Sequence, residues 1–106
     1  MLQKKDKYIS YITHMEYMAT GEGFTEEVNF CYANNKKEAK QKHLDKCYPN
    51  DPDAAAYYGV GVTVMEFNTD KARQLCNRLF ANGELLWMHM KGAGREMHFK
   101  IHYNHG

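Results

Sequence analysis

The stretch from Tyr57 to Phe67, YYGVGVTVMEF, constrains the fold more than any other in the chain. Successive side chains of a strand face opposite sides of a sheet. Tyr58, Val60, Val62 and Val64 would therefore share one face, and Tyr57, Gly59, Gly61, Thr63 and Met65 the other. The first set is largely β-branched and fit for a core. The second is nearly bare backbone at Gly59 and Gly61, which weakens a strand and normally marks the close approach of something bulky. This alternation predicts the central strand of a sheet with one packed face and one face used for binding.

The flanking segments supply the other elements. Lys7 to Ala19 is rich in tyrosine and isoleucine and reads as a strand covered on both faces. Thr20 to Gly23 has the composition of a hairpin loop. Phe24 to Ala33 then alternates as a second, antiparallel strand, with Phe24, Val28, Phe30 and Tyr32 on one face and Thr25, Glu27, Asn29 and Cys31 on the other. Asn35 followed three residues later by Glu38 has capping-box spacing. It predicts a helix from about Lys36 to Cys47, with Ala39, His43, Leu44 and Cys47 inward and Lys36, Lys37, Lys40 and Lys46 largely outward. The two prolines of YPNDPDA make a loop.

Beyond Phe67, Asn68 or Thr69 caps a second helix. Its apolar residues Ala72, Leu75, Cys76, Leu79 and Phe80 fall at i, i+3, i+4, i+7 and i+8, and Asn82-Gly83 is expected to end it. The remainder, ELLWMHM, KGAG and REMHFKIHYNHG, reads as a hairpin in which Met90 pairs with Arg95. That register puts Met88, Met97, Leu86, Phe99, Ile101 and Tyr103 on a core face and Leu85, Trp87 and His89 opposite Lys100, His98 and Glu96 on the other. The expected fold is α+β: one domain over residues 1–106, with frayed ends at 1–6 and 104–106. Its elements run β-β-α-β-α-β-β and build a mixed five-stranded sheet. Right-handed crossovers put both helices on one face. The other face is left free to bind a ligand or a second copy.

Composition narrows the function classes. A hydrophobic share of 43% and a charged share of 25% are globular values, and a net charge of +1 lacks the basic surplus of a nucleic-acid binder. No run approaches the roughly 20 apolar residues of a membrane span, and MLQKKDK is not followed by a signal-type apolar segment. Cys31, Cys47 and Cys76 form no CxxC pair and read as reduced thiols, so a cytoplasmic protein is expected.

Six histidines raise the question of a metal. His98 and His102 share a strand face, but four residues at about 3.3 Å each separate them by about 13 Å, too far to share one ion. His43 and Cys47 have helical i, i+4 spacing, which is half a site, and also fit a buried stripe. No metal and no cofactor are expected. The GxG pairs lack the third glycine and the strand-turn-helix setting of a nucleotide fingerprint.

The site expected from this pattern is the helix-free sheet face. Gly59 and Gly61 form its floor, Met65 and Trp87 its walls, and His89, His98 and His102 its polar groups. The leading expectation is a non-enzymatic small-molecule-binding or protein-interaction module, homodimeric through that face, with a small apolar or aromatic molecule as the candidate ligand. The alternative is a small enzyme in which Glu96 orients His89 for general acid-base work, with His98 nearby.

Overall fold

The computed structural model describes residues 9–19, 23–93 and 96–104. Strands β1 (Ile9–Ala19) and β2 (Gly23–Ala33) form a long antiparallel pair in a register that runs from Ile9 opposite Ala33 to Ala19 opposite Gly23. Gly23, the first residue of β2, has a positive φ of 114°, which side chains rarely tolerate. Strand β4 (Met97–Asn104) pairs antiparallel with β2, and the short β3 (Thr63–Glu66) pairs antiparallel with β1. The sheet order is β3-β1-β2-β4. The fold class is α+β as expected. Among the described residues, however, the sheet has four strands and not five, every neighbouring pair is antiparallel, and the helices differ in number and place.

Helix α1 spans Lys36–Cys47, within the expected bounds, because its cap forms: the Asn35 side chain accepts from the Glu38 N–H at 2.8 Å. Glu38 itself accepts from the Asn34 amide, so the reciprocal half of a capping box is replaced by a neighbour. Its buried stripe is Ala39, His43 and Leu44, an imidazole between two apolar residues. Four residues of helix advance about 6 Å and two residues of strand about 6.6 Å, so a helix lying along a strand can match one turn to every second strand residue. α1 does this against β2 in the reverse sense. Ala39 packs by Cys31 and Ala33, and one turn on His43 meets Asn29. A further turn brings Cys47 to Glu27.

The other helices are α2 (Ala54–Tyr58), α3 (Asp70–Leu79) and α4 (Gly83–Ala93). Ala72 and Cys76 of α3 and Trp87 and Met90 of α4 pack with Ile12, Val28, Phe30 and Phe67 in the main core. That core lies on the sheet face opposite α1, so no face is free of helix and the one-sided arrangement is corrected. The strand directions give the reason. β2 and β3 both run antiparallel to the β1 strand between them, so they are parallel to each other and their crossover falls under the handedness rule. β3 and β4 run antiparallel, so the rule does not govern the α3–α4 connection.

Two elements were misread. In Tyr57–Phe67 only Thr63–Glu66 is strand, and it lies at the sheet edge, not its centre; Tyr57 and Tyr58 end α2, and Gly59–Gly61 is a single 3-10 turn. ELLWMHM is helical, not the first arm of a hairpin. Leu86, Trp87 and Met90 form its inward face, and β4 pairs with β2 instead. Arg95, the expected partner of Met90, lies outside the described residues. Gly83 does not serve as a left-handed end to α3. The helix closes at Phe80, and Gly83 opens α4 where a Cβ would overlap the Cys76 carbonyl. Among the described residues no helix is long and apolar enough to cross a membrane.

Candidate functional site

Alternation in β2 sends Thr25, Glu27, Asn29 and Cys31 towards the α1 side, together with Thr13 of β1 and His98 and His102 of β4. Thr13, Thr25, Glu27, Asn29 and His43 are all buried there. Polar groups removed from water need partners, and most find them within this layer. His43 Nδ1 lies 2.8 Å from Thr13 Oγ1 and 2.9 Å from Asn29 Nδ2. With the amide donating, the ring proton sits on Nε2, which is buried and has no partner among the described residues. Burial, the dominant influence, drives the His43 pKa down to about 4, although the Glu27 carboxylate nearby opposes it.

One turn further along α1, three elements converge. Glu27 of β2, Cys47 of α1 and His98 of β4 bring their ligand atoms within 4.8 Å of one another. His98 Nε2 is 3.3 Å from Glu27 Oε1. Burial pushes the Cys47 thiol up to about 12, and its hydrogen bond to the Glu27 carboxylate adds to this, while Asn29 works against it. Glu27 is buried, Cys47 half-buried, and His98 reaches solvent.

Beside this cluster α1 leaves the start of β4 uncovered, and a groove of about 380 Å³ opens there. Lys42, Asp45 and Lys46 form its helix side, the Glu96–His98 stretch its strand side, and Phe30 and Cys31 contribute to its lining. Lys42 is held at one end, with Nζ 2.5 Å from the Tyr32 carbonyl and 3.2 Å from Glu96 Oε2. Burial disfavours the charged form of Glu96, but the Tyr32 N–H and Lys42 outweigh it and lower its pKa. A second hollow, of about 350 Å³, lies between Gln41 and Asp45 of α1 and the Tyr48–Ala55 loop.

The residues expected to form one site are dispersed. Gly59 is buried in the 3-10 turn, where a Cβ would come 3.3 Å from Lys40 Cε; Gly61 is exposed, with only Met15 Cγ nearby at 3.9 Å. Met65 packs against the main core, and Trp87, buried within it, donates from Nε1 to the Phe67 carbonyl at 2.8 Å. His89 is exposed on α4, so it cannot be the cross-strand partner of Glu96, which Lys42 and Tyr32 hold. His98 and His102 do share a strand face, and His102 Nδ1 sits 3.1 Å from Thr25 Oγ1. Of the expected residues only His98 enters a cluster with ligand chemistry. Of its companions, Cys47 is the residue that the sequence pairs with His43 as half a site, whereas Glu27 stands on the polar face of β2 with no signal of its own.

On the other face, Glu26 forms a different kind of group. Its carboxylate is buried and takes 2.8 and 3.3 Å contacts from the Arg78 guanidinium and a 2.6 Å contact from His14 Nε2. Burial raises its pKa, but hydrogen bonds from Arg78, His14 and Tyr103 together outweigh that and bring it down to about 2. With its charge already paired to Arg78, Glu26 reads as part of a structural ion pair.

Comparison with protein-family models, with curated proteins and with solved structures gives no match to this chain.

Proposed function

We propose that the protein is a non-enzymatic binding module whose ligand is a small molecule seated in the groove between α1 and the start of β4. The binding class expected from the sequence is kept; its place moves, because α3 and α4 cover the face on which it was expected. The observation that carries this reading is the groove itself. Its volume of about 380 Å³ falls within the roughly 300–1,000 Å³ typical of small-molecule clefts. On the α1 side its strand lining is Cys31, Asn29 and His98, while Phe30 and Met97 border it from strands whose side chains at those positions turn to the main core. Two lysines and two carboxylates line it, so its formal charges cancel. A small ligand with balanced polar groups, uncharged or zwitterionic, fits that lining better than a strongly charged one.

The homodimer expected from the sequence rested on an uncovered apolar face bearing Trp87, Leu85, Met65 and Phe67. Trp87 and Phe67 are core residues and Met65 packs against them, while Leu85 is exposed on α4, so the four do not form one sheet face. The enzymatic alternative rested on His89 beside Glu96, which lie on different elements.

The test is a fragment screen against the isotope-labelled full chain, read by amide shift changes. Hits should perturb Lys42, Lys46, Met97 and His98 together. Hits that cluster at the Tyr48–Ala55 hollow or scatter over the surface would overturn the reading.

A further inference from the structure

We propose that Glu27, Cys47 and His98 form a binding site for a single divalent transition-metal ion of the zinc type. Nothing in this proposal depends on the groove being occupied, since the three ligands come from their own convergence of β2, α1 and β4.

The geometry is close to what such an ion requires. Bonds of about 2.0–2.1 Å to nitrogen and oxygen at tetrahedral angles imply an N···O edge of about 3.3–3.4 Å. The observed His98 Nε2 to Glu27 Oε1 distance is 3.3 Å. A bond of about 2.3 Å to sulfur lengthens the other two edges to about 3.6 Å, and all three atoms lie within 4.8 Å of one another. An ordinary ion pair would account for His98 on Glu27. It does not by itself bring a third donor atom, Cys47 Sγ from α1, within 4.8 Å of both the carboxylate and the imidazole.

The donor set selects the ion. Calcium and magnesium are held by oxygen, whereas one thiolate, one imidazole and one carboxylate suit the borderline ions Zn²⁺ and Co²⁺. Binding replaces the Cys47 S–H by an S–metal bond and releases that proton to solvent, with no change of oxidation state, so affinity rises with pH. Three protein ligands leave one tetrahedral position for water or a ligand atom. His98, which also lines the groove, reaches solvent at this end.

The experiment uses the full chain stripped of metal. Zn²⁺ is titrated in competition with a chromophoric chelator, and Co²⁺ is titrated with its absorption spectrum recorded. One equivalent should bind, and Co²⁺ should give a thiolate-to-metal charge-transfer band together with the visible bands of a tetrahedral ion. Cys47→Ser should abolish the charge-transfer band. His98→Gln should weaken Zn²⁺ binding by at least about tenfold, the lower end of what even outer-shell changes cost. His102→Gln, four residues along the same strand face, should bind as the parent does. The proposal is overturned if the parent gives no thiolate band, if the band survives Cys47→Ser, or if His98→Gln binds Zn²⁺ unchanged. A loss in His102→Gln equal to that in His98→Gln would also overturn it. His98 reaches solvent, so its replacement does not threaten the core, and its result decides the matter even if Cys47→Ser fails to fold.

Discussion

Glu26 and Glu27 are successive residues of one strand, both buried, and they live in opposite worlds. Glu26 faces the α3–α4 side, where Arg78 matches its charge, His14 lies within hydrogen-bond distance and the surroundings are rings: Phe30 meets Phe67, Phe99 and Phe80 at centroid distances of 4.9, 5.3 and 6.4 Å. Glu27 faces α1, among Thr13, Asn29, His43, Cys47 and His98, in a layer whose helix contributes an imidazole and a thiol where an apolar side chain would pack better. One face of the sheet is built to hold the fold together. The other gives up some of that burial to keep donor and acceptor atoms in a fixed array, a costly choice unless the array binds something.

That contrast can be tested by substitution and by pH. The largest effect should come from Phe30→Ala on the aromatic face, which should cost about 3–5 kcal/mol, the range for truncating a buried phenylalanine. Urea denaturation measures it, and a loss below about 1 kcal/mol would mean the core does not lie where the rings meet.

On the polar face the comparable effect is a pH dependence. The folded His43 pKa, about 4, lies below its ordinary 6.5. The unfolded chain therefore binds the proton more readily. The stability contributed by neutral His43 is complete above pH 6.5 and drains away as the pH falls towards 4, by up to about 3 kcal/mol. Denaturation of metal-free protein across that window should show the decline, and His43→Gln should flatten it. An equally steep decline in the variant would remove His43 as the cause.

Smaller still, Thr13→Val should cost about 1 kcal/mol, the net worth of one buried hydrogen bond, since the hydroxyl 2.8 Å from His43 is lost while the shape is kept. A neutral result would show that Asn29 alone orients the ring. The least effect is expected for Gly61→Val. The new Cβ meets only Met15 Cγ at ordinary contact distance, so the thermal midpoint should move by the equivalent of less than about 0.5 kcal/mol. A large loss would restore the glycines to the role their alternation implied.

What the sequence disclosed follows from where local signals were unambiguous. The β1–β2 pair was legible because two alternating runs flank a short glycine-containing segment of sequence, and α1 and α3 because Asn35 and Thr69 cap them as their spacing implies. Tyr57–Phe67 misled because alternation of valine and glycine carries no information on whether the glycines lie in a strand or in the tight turn before it. ELLWMHM misled because an apolar run of that length satisfies either period, and Gly83, which looked like the end of one helix, is the tight start of the next. The candidate site was half legible. The polar face of β2 and the His43–Cys47 spacing were both visible, but which sheet face α1 covers, and that β4 lies beside β2, are set by non-local pairing.

The pairing of β2 with β4 has a consequence for the order of folding. Phe30 opposes Met97 and Glu27 is joined to His98 across 71 positions of chain, whereas β1 and β2 pair from Ala19 opposite Gly23, close neighbours in sequence. Closing a long loop must be paid for in entropy before its contacts return anything. The β1–β2 pair, formed locally, is thus expected to be the early template, and the last strand docks on its edge late. The cluster and the groove both require that docking. A nascent or partly unfolded chain can carry a correct hairpin and a correct first helix and still possess no site at all.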